Sequence, residues 1–224
     1  MEELAPNVWL LRYPLRFLGI PAGRNVTVLR LASGALVIHS TAPFSTEDVR
    51  RIRALGEPKW LLDVTRFHDS YASAGRAAFP DVTYLAPEVF PERERFRIVP
   101  FASAPPEWGD ELELCQIDGM PKVQEHALFH APSRTLLVGD LFFNFGETSS
   151  WWARVVIRYL MRLPELVGMS LAFRLMIRDR QAFLRSVAEI MRWDFDRVIV
   201  GHGQVIESGG KERLREVLAK FGLV

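Results

Sequence analysis

Arg197-Val198-Ile199-Val200-Gly201-His202-Gly203 is an apolar, β-branched run that stops on an imidazole set between two glycines. Such a run reads as a buried strand, and its polar stop as a loop at the strand's carboxyl end. Two other stretches share the pattern. Trp60-Leu61-Leu62-Asp63-Val64 is followed by His68, and Thr135-Leu136-Leu137-Val138 ends on Gly139-Asp140. In layered α/β folds, functional groups collect at the carboxyl ends of buried strands. Two imidazoles and one carboxylate can hold a borderline divalent cation such as zinc. Glycines beside Asp140 and His202 let the backbone approach an ion or ligand closely. The same three residues could equally bond to loop amides, and spacing alone does not separate these alternatives.

Outward from these strand ends, the first third of the chain reads as β-structure. Asn7–Arg12 is a short apolar run. Asn25–Leu31 alternates, Ser33-Gly34 breaks it and Ala35–Ser40 resumes, which predicts a β-hairpin. Ser45-Thr46-Glu47-Asp48 caps a helix carried by Val49, Ile52 and Leu55 and ended by Gly56. Val82–Leu85 predicts a further strand. Leu112–Ile117, Val123–Phe129 and Thr135–Val138 predict a second group, with turns at Asp118-Gly119 and Ala131–Arg134. From Trp151 to Trp193 the periodicity becomes helical, and two helices are expected, broken near Pro164 and Gly168. Lys211–Phe221 predicts a closing amphipathic helix. Hairpins together with βα alternation argue for a layered α/β architecture.

The composition narrows the function classes. Of 224 residues, 49% are hydrophobic and 25% charged, which excludes a disordered tail, a collagen-like repeat and a disulfide miniprotein. The 28 Lys+Arg against 27 Asp+Glu is not the balance of a general nucleic-acid binder. Cys115, the one cysteine, excludes an intrachain disulfide and reads as a buried, inert thiol. Met1-Glu2-Glu3-Leu4 carries no signal-peptide pattern, so a cytoplasmic location is expected. No apolar run is long enough for a spanning helix. No Gly-x-Ser-x-Gly elbow occurs, which disfavours a serine hydrolase. A single domain over 1–224 is expected, with a helical insertion at about 149–193.

Three segments carry a family resemblance: Thr65-Arg66-Phe67-His68-Asp69-Ser70-Tyr71, Leu137–Phe142 and Ile199–Gly203. With the hairpin from Asn25 to Thr41, they resemble the metallo-β-lactamase fold superfamily over about Asn7 to Gly209. The resemblance implies a four-layer αβ/βα sandwich with the site at one edge of two sheets. A single metal held by His68, Asp140 and His202 would polarise an ester- or phosphoester-type bond, so a metal-dependent hydrolase, mononuclear or of reduced activity, is the first functional expectation. The superfamily's principal motif is Thr-His-x-His-x-Asp-His. Here Thr65 and His68 match it, while Arg66, Ser70 and Tyr71 stand at the other positions. The next family histidine falls near Pro121 or Lys122.

The ligands that remain by this resemblance are His68, Asp140 and His202. A shared two-ion site is then incomplete, and Arg66 adds a positive charge that opposes a second cation. Three ligands plus water describes a catalytic zinc site, so the set fits one zinc, iron or manganese ion. A site with no metal is the other outcome. Asp69 or Tyr71 would transfer or orient a proton, and Asp69, Glu125 and His126 are supplementary ligand candidates.

The helical insertion admits three readings. Trp151 to Arg162 is both apolar and basic, with Arg154, Arg158 and Arg162 four apart on one helical face and Arg174 and Arg178 repeating the spacing. This is a solvated face, a lid over the site, or an interfacial helix resting on anionic lipid. As a lid, Arg154 and Arg158, with Arg66, would meet an anionic small-molecule substrate. Phe142, Phe143, Phe145, Trp151 and Trp152 make the region aromatic, and exposure would suit an apolar ligand or partner chain. The rival to an enzyme is therefore a non-catalytic descendant that binds through these helices. His39 is expected to bond to a loop, one of Glu125 and His126 to face inward, and His130 to be solvent-exposed. Oligomeric state is not legible.

Overall fold

The structure is a computed structural model and describes residues 1–91, 93–146 and 150–223. Its first half runs β1 (Glu2–Ala5), β2 (Val8–Tyr13), β3 (Arg16–Phe17), β4 (Ile20–Pro21), β5 (Arg24–Arg30), β6 (Ala35–His39), α1 (Thr46–Leu55), β7 (Glu57–Leu62), α2 (Ala72–Ala78), β8 (Thr83–Ala86), α3 (Arg93–Phe96) and β9 (Ile98–Pro100). Seven of these strands form one sheet in the order β1-β2-β5-β6-β7-β8-β9. The expected β5–β6 hairpin is antiparallel, and β6 to β9 are parallel neighbours. Helix α1 opens on a full capping box, in which Ser45 Oγ accepts from the Asp48 amide and the Asp48 carboxylate accepts from the Ser45 amide.

The second half runs β10 (Leu112–Gln116), β11 (His126–His130), β12 (Thr135–Leu137), β13 (Phe143–Asn144), α4 (Trp151–Val155), β14 (Val167–Gly168), α5 (Leu171–Leu175), α6 (Arg180–Ile190), β15 (Arg197–Ile199) and α7 (Gly210–Lys220). The second sheet has the order β10-β11-β12-β15, with β12 and β15 parallel.

Alternation along the strands sorts side chains into three apolar layers. Successive residues of a strand face opposite sides. Val26, Val28, Leu36, Ile38 and Leu61 pack towards Ile52 of α1 and Ala72 of α2. Leu29, Val37, Trp60 and Leu62 meet Leu128, Leu137 and Ile199 of the other sheet. Phe129, Leu136 and Val198 pack outward against Phe183 and Val187 of α6 and Leu214 and Val217 of α7. Helix, sheet, sheet and helix follow in that order, which is the expected four-layer αβ/βα sandwich. Near-continuous apolar runs were needed because both faces of each central strand are covered.

Several local expectations are corrected. β11 begins at His126 rather than Val123, because Met120 to Gln124 folds as a turn in which the Val123 and Gln124 amides donate to the Met120 carbonyl and Gln124 adopts φ +48°. His130 is buried, not solvent-exposed: it lies on a middle strand between Leu112 and Thr135, and its Nδ1 is 2.7 Å from Ser133 Oγ. The insertion holds three helices rather than two. α4 continues as one π-helical turn, Val156–Leu160, and ends there. Arg162 then takes φ +58°, so it leaves the face shared by Arg154 and Arg158. Likewise Arg178 lies beyond the end of α5, with its amide donating to the Gly119 carbonyl. The insertion's expected start at 149 lies outside the described residues. Among the described residues no helix is long and apolar enough to cross a membrane. Cys115 is half-buried, and burial ahead of the charges of Glu189 and Asp118 pushes its thiol up to about 11, which keeps it protonated and inert.

His126 joins the sheets. Its amide donates to the Val64 carbonyl at 2.8 Å, and its ring lies over Phe101 with centroids 4.5 Å apart. Burial holds its imidazole down at about 4 from 6.5, against the backbone bonds to Gln124 and Val64. Below pH 6.5 the unfolded ring therefore takes a proton that the folded ring refuses, and folding stability falls as pH falls towards 4. His126→Phe keeps the ring contact and removes this titration. Urea unfolding across that range is expected to show wild type losing stability relative to the variant by up to about 1 kcal/mol per pH unit. Parallel pH curves would rule the assignment out.

Candidate metal centre

The carboxyl ends of β7, β12 and β15 meet at one edge of the sandwich. Beyond β7 the chain enters a 3-10 turn, Arg66–Tyr71, that carries His68. Beyond β12 and β15 come Asp140 and His202. Asn25 ties the last of these ends to the first sheet. Its amide donates to the Gly201 carbonyl at 3.0 Å, and its side-chain Nδ2 donates to Val200 O at 2.8 Å and Gly203 O at 3.0 Å. Gly201 also has to be glycine. A Cβ there would stand 2.8 Å from the Gly139 carbonyl and 2.8 Å from Cε1 of His68.

Glu125 shapes the Asp140 loop. Its carboxylate is fully buried and accepts three backbone N–H groups: Oε1 from Gly139 at 3.0 Å and Leu141 at 2.8 Å, and Oε2 from Asp140 at 2.9 Å. Burial and then the Asp140 charge push this acid up to about 8, and the three donors work against that rise. Glu125 is expected from the sequence as a supplementary ligand; the structure instead commits both its oxygens to backbone amides. Its signal is an acid one residue before a buried strand, opposite the glycine-bearing end of β12.

The three expected ligands converge. One ligand atom from each of His68, Asp140 and His202 lies within 4.8 Å of the others, and all three residues are buried. Asp140 Oδ1 is 3.7 Å from Nε2 of His68 and 3.5 Å from Nε2 of His202. Those gaps are longer than good hydrogen bonds. His68 Nε2 is buried and has no hydrogen-bond partner among the described residues, a costly state for a polar atom. His202 Nδ1 is 2.6 Å from the Gly23 carbonyl, which only accepts. That contact puts the proton on Nδ1 and leaves the Nε2 lone pair facing Asp140, as in metal-ligating histidines held by a carbonyl. The donor set thus fits a divalent ion: the free Nε2 lone pair of His202, the unpartnered Nε2 of His68 and one carboxylate.

The charges agree. Burial, then the Arg24 charge, lower the His68 imidazole to about 3, and burial also lowers His202. Both rings are therefore neutral near pH 7. Burial alone would raise the Asp140 carboxyl, but interaction with His68, then His202 and Arg24, outweighs it and holds it below the usual carboxylate range; with both rings neutral, Arg24 is the cation that remains near pH 7. Arg24 was not anticipated. It opens β5, is 1% exposed, donates from Nη1 to Ser40 Oγ at 3.1 Å, and feels the charges of Asp63 and Asp140. A single Arg before an apolar alternating run carries no sequence signal of burial.

The other candidates lie elsewhere. Asp69, Arg66, Arg154 and Arg158 are exposed, and none of these lines the cavity beside the centre. Tyr71 donates its hydroxyl to the Pro14 carbonyl at 2.7 Å. His39 is buried with Nε2 unpartnered among the described residues, so the expected loop bond from that atom is not seen. The cavity itself measures about 730 Å³ and is bordered by Arg24, Asp140 and His202.

No family model matches the chain, and no curated protein is similar to it in sequence. Solved structures are similar in fold. A metallo-β-lactamase from Pontibacter korlensis is 13% identical with a TM-score of 0.62, covering 97% of each chain. The DIM-1 metallo-β-lactamase is 16% identical with a TM-score of 0.63, covering 98% of this chain and 96% of its own. The metallo-β-lactamase FIM-1 from Pseudomonas aeruginosa, in a mono-zinc form, is 12% identical with a TM-score of 0.62, covering 100% and 95%. The chain has the metallo-β-lactamase fold.

Glu125→Gln replaces one acceptor oxygen with an NH2 that faces a backbone N–H. We expect a loss of about 1–3 kcal/mol in urea unfolding, the cost of a buried donor left unpaired. Unchanged stability would mean that Glu125 does not hold the Asp140 loop.

Proposed function

We propose that the protein is a metal-dependent, hydrolase-like enzyme that works with one ion of zinc, iron or manganese and acts on an ester or phosphoester-type bond. The observation that carries this reading is the pair of imidazole Nε2 atoms, one of them buried and unpartnered, set around a buried carboxylate. His68, Asp140 and His202 would hold the ion. A bound ion of this kind polarises a substrate oxygen and lowers the pKa of its water. A mono-zinc form of FIM-1 is compatible with one-ion occupancy in this fold.

The chain's own residues supply positioning and charge. The Gly23 carbonyl keeps His202 in the tautomer with Nε2 free. Glu125 keeps the Asp140 loop in place through its three N–H bonds. Arg24 adds a fixed cation at the edge of the cavity, where a substrate oxygen gains negative charge during hydrolysis. Phe143 stacks on the His202 ring with centroids 6.0 Å apart. A second cation next to Arg24 would be repelled, which favours one ion over two.

Elemental analysis of protein purified without added metal tests the reading. About one equivalent of zinc, iron or manganese is expected. His68→Ala is expected to lose most of that metal while circular dichroism and cooperative unfolding persist. Absence of these metals, with no uptake on titration, would overturn the proposal. A second prediction concerns Gly201. Gly201→Ala pushes a methyl onto the His68 ring and should lower metal content without touching a ligand. A full metal complement in that variant would show that the close approach is not needed.

A further inference from the structure

The cavity beside the centre is far more apolar than hydrolysis alone requires. Phe143, Phe145, Met161, Phe173 and Met176 line its wall, Arg24, Asp140 and His202 stand at its inner end, and Arg16 is exposed on the β3–β4 hairpin at its mouth. At about 730 Å³ it falls within the range of small-molecule sites, roughly 300–1,000 Å³. Its apolar character continues outward. Phe17 and Leu18, at the tip of the β3–β4 hairpin, are each 52% exposed, and Leu160 and Leu175 are 59% and 65% exposed, yet all four also border the cavity. Hairpin and helix are fastened at this mouth, since Trp152 Nε1 donates to the Leu18 carbonyl at 3.3 Å. At the other end, Arg24 Nε is buried with no hydrogen-bond acceptor among the described residues.

We infer that this cavity binds a long-chain amphiphile, an acyl ester or its carboxylic acid, with the carboxyl end against Arg24 and the His68, Asp140, His202 cluster and the chain lying along the wall to the apolar mouth. The inference deepens the hydrolase reading by naming the substrate class, and it rests on that reading for the fate of the carboxyl end alone. The chemistry of each part matches. A carboxyl oxygen accepts from the Arg24 guanidinium, whose Nη1 already donates to Ser40 but whose Nε has no acceptor among the described residues. Thioether side chains such as Met161 and Met176 adapt to a flexible chain. Phe17, Leu18, Leu160 and Leu175 cover the end of a chain that emerges, which accounts for apolar residues held in water around an apolar opening. The chain has two available sources, a monomer in water or a bilayer on which the mouth rests.

Displacement of dansyl-undecanoate from the purified protein by butyrate, octanoate and dodecanoate tests this. Affinity is expected to climb with chain length, by up to about fourfold per added methylene. Ala172→Trp, at an exposed cavity-lining position, is expected to block the site and cost dodecanoate at least about tenfold in affinity, with metal content and unfolding unchanged. Equal affinity for butyrate and dodecanoate, or dodecanoate binding untouched by Ala172→Trp, would overturn the inference. Co-sedimentation with phosphatidylglycerol vesicles that Leu175→Glu abolishes supports uptake from a bilayer, and dodecanoate binding without co-sedimentation supports uptake from water. Chain-length-dependent binding in protein that takes up no metal would sink the hydrolase reading and leave this one standing. Metal uptake without chain-length dependence would do the reverse.

Discussion

Everything at the candidate centre depends on how the two sheets are fastened at one edge. Hydrophobic contact between sheets is non-directional, so Leu62, Leu128 and Ile199 can hold the layers together without setting their register. Directional bonds set it. Asn25 reaches from β5 to three carbonyls around Gly201, and the His126 amide reaches the Val64 carbonyl. These bonds put the ends of β7, β12 and β15 side by side. Two glycines complete the approach, because a side chain at Gly139 or Gly201 would strike Thr65 or His68.

The electrostatics of the centre follow from burial of unlike groups together. A buried carboxylate next to two buried imidazoles would ordinarily be costly. Asp140 is stabilised by Arg24, and Arg24 in turn is stabilised by Asp63 as well as Asp140. Asp63 is itself raised to about 6 by burial, against Arg24, and accepts from the hydroxyls of Tyr84 and Thr41. The fold thus carries a buried cation next to the candidate metal position. That cation balances part of the Asp140 charge.

A polar centre opening on an apolar cavity is a combination with a consequence. Phe143 lies parallel to the His202 ring on one side of the centre, and charge interactions among such buried groups are stronger than in solvent. The insertion between Asp140 and His202 contributes much of that apolar wall: the π-helical turn after α4, helix α5 and the residue that follows each supply Leu160, Met161, Phe173 and Met176. Its arginines are absent from the cavity lining, whereas its Leu, Met and Phe residues are part of it. The segment that looked most like an anion clamp in sequence is, in space, an apolar shell.

What could be read from the residues alone was the pattern carried by strand ends. Apolar runs of a few residues that stop at His68, Asp140 and His202 imply buried strands with functional loops, and alternation in Asn25–Ser40 implies a hairpin, because period and polarity are local properties of the chain. The Ser45 capping box and the closing helix are local for the same reason. Val123–Phe129, the two expected helices of the insertion and the exposure of His130 failed where a turn, a π-helical turn or a flanking strand outweighed local pattern. Arg24 and Glu125 belong to tertiary structure altogether. A guanidinium becomes a buried partner of Asp140 only when β5 packs against the end of β15, and a glutamate becomes the holder of three amides only when the end of β12 folds around it. Local sequence sets which backbone can extend, coil or turn. Distances between residues far apart in the chain, and so the charge and shape of the site, come from packing alone.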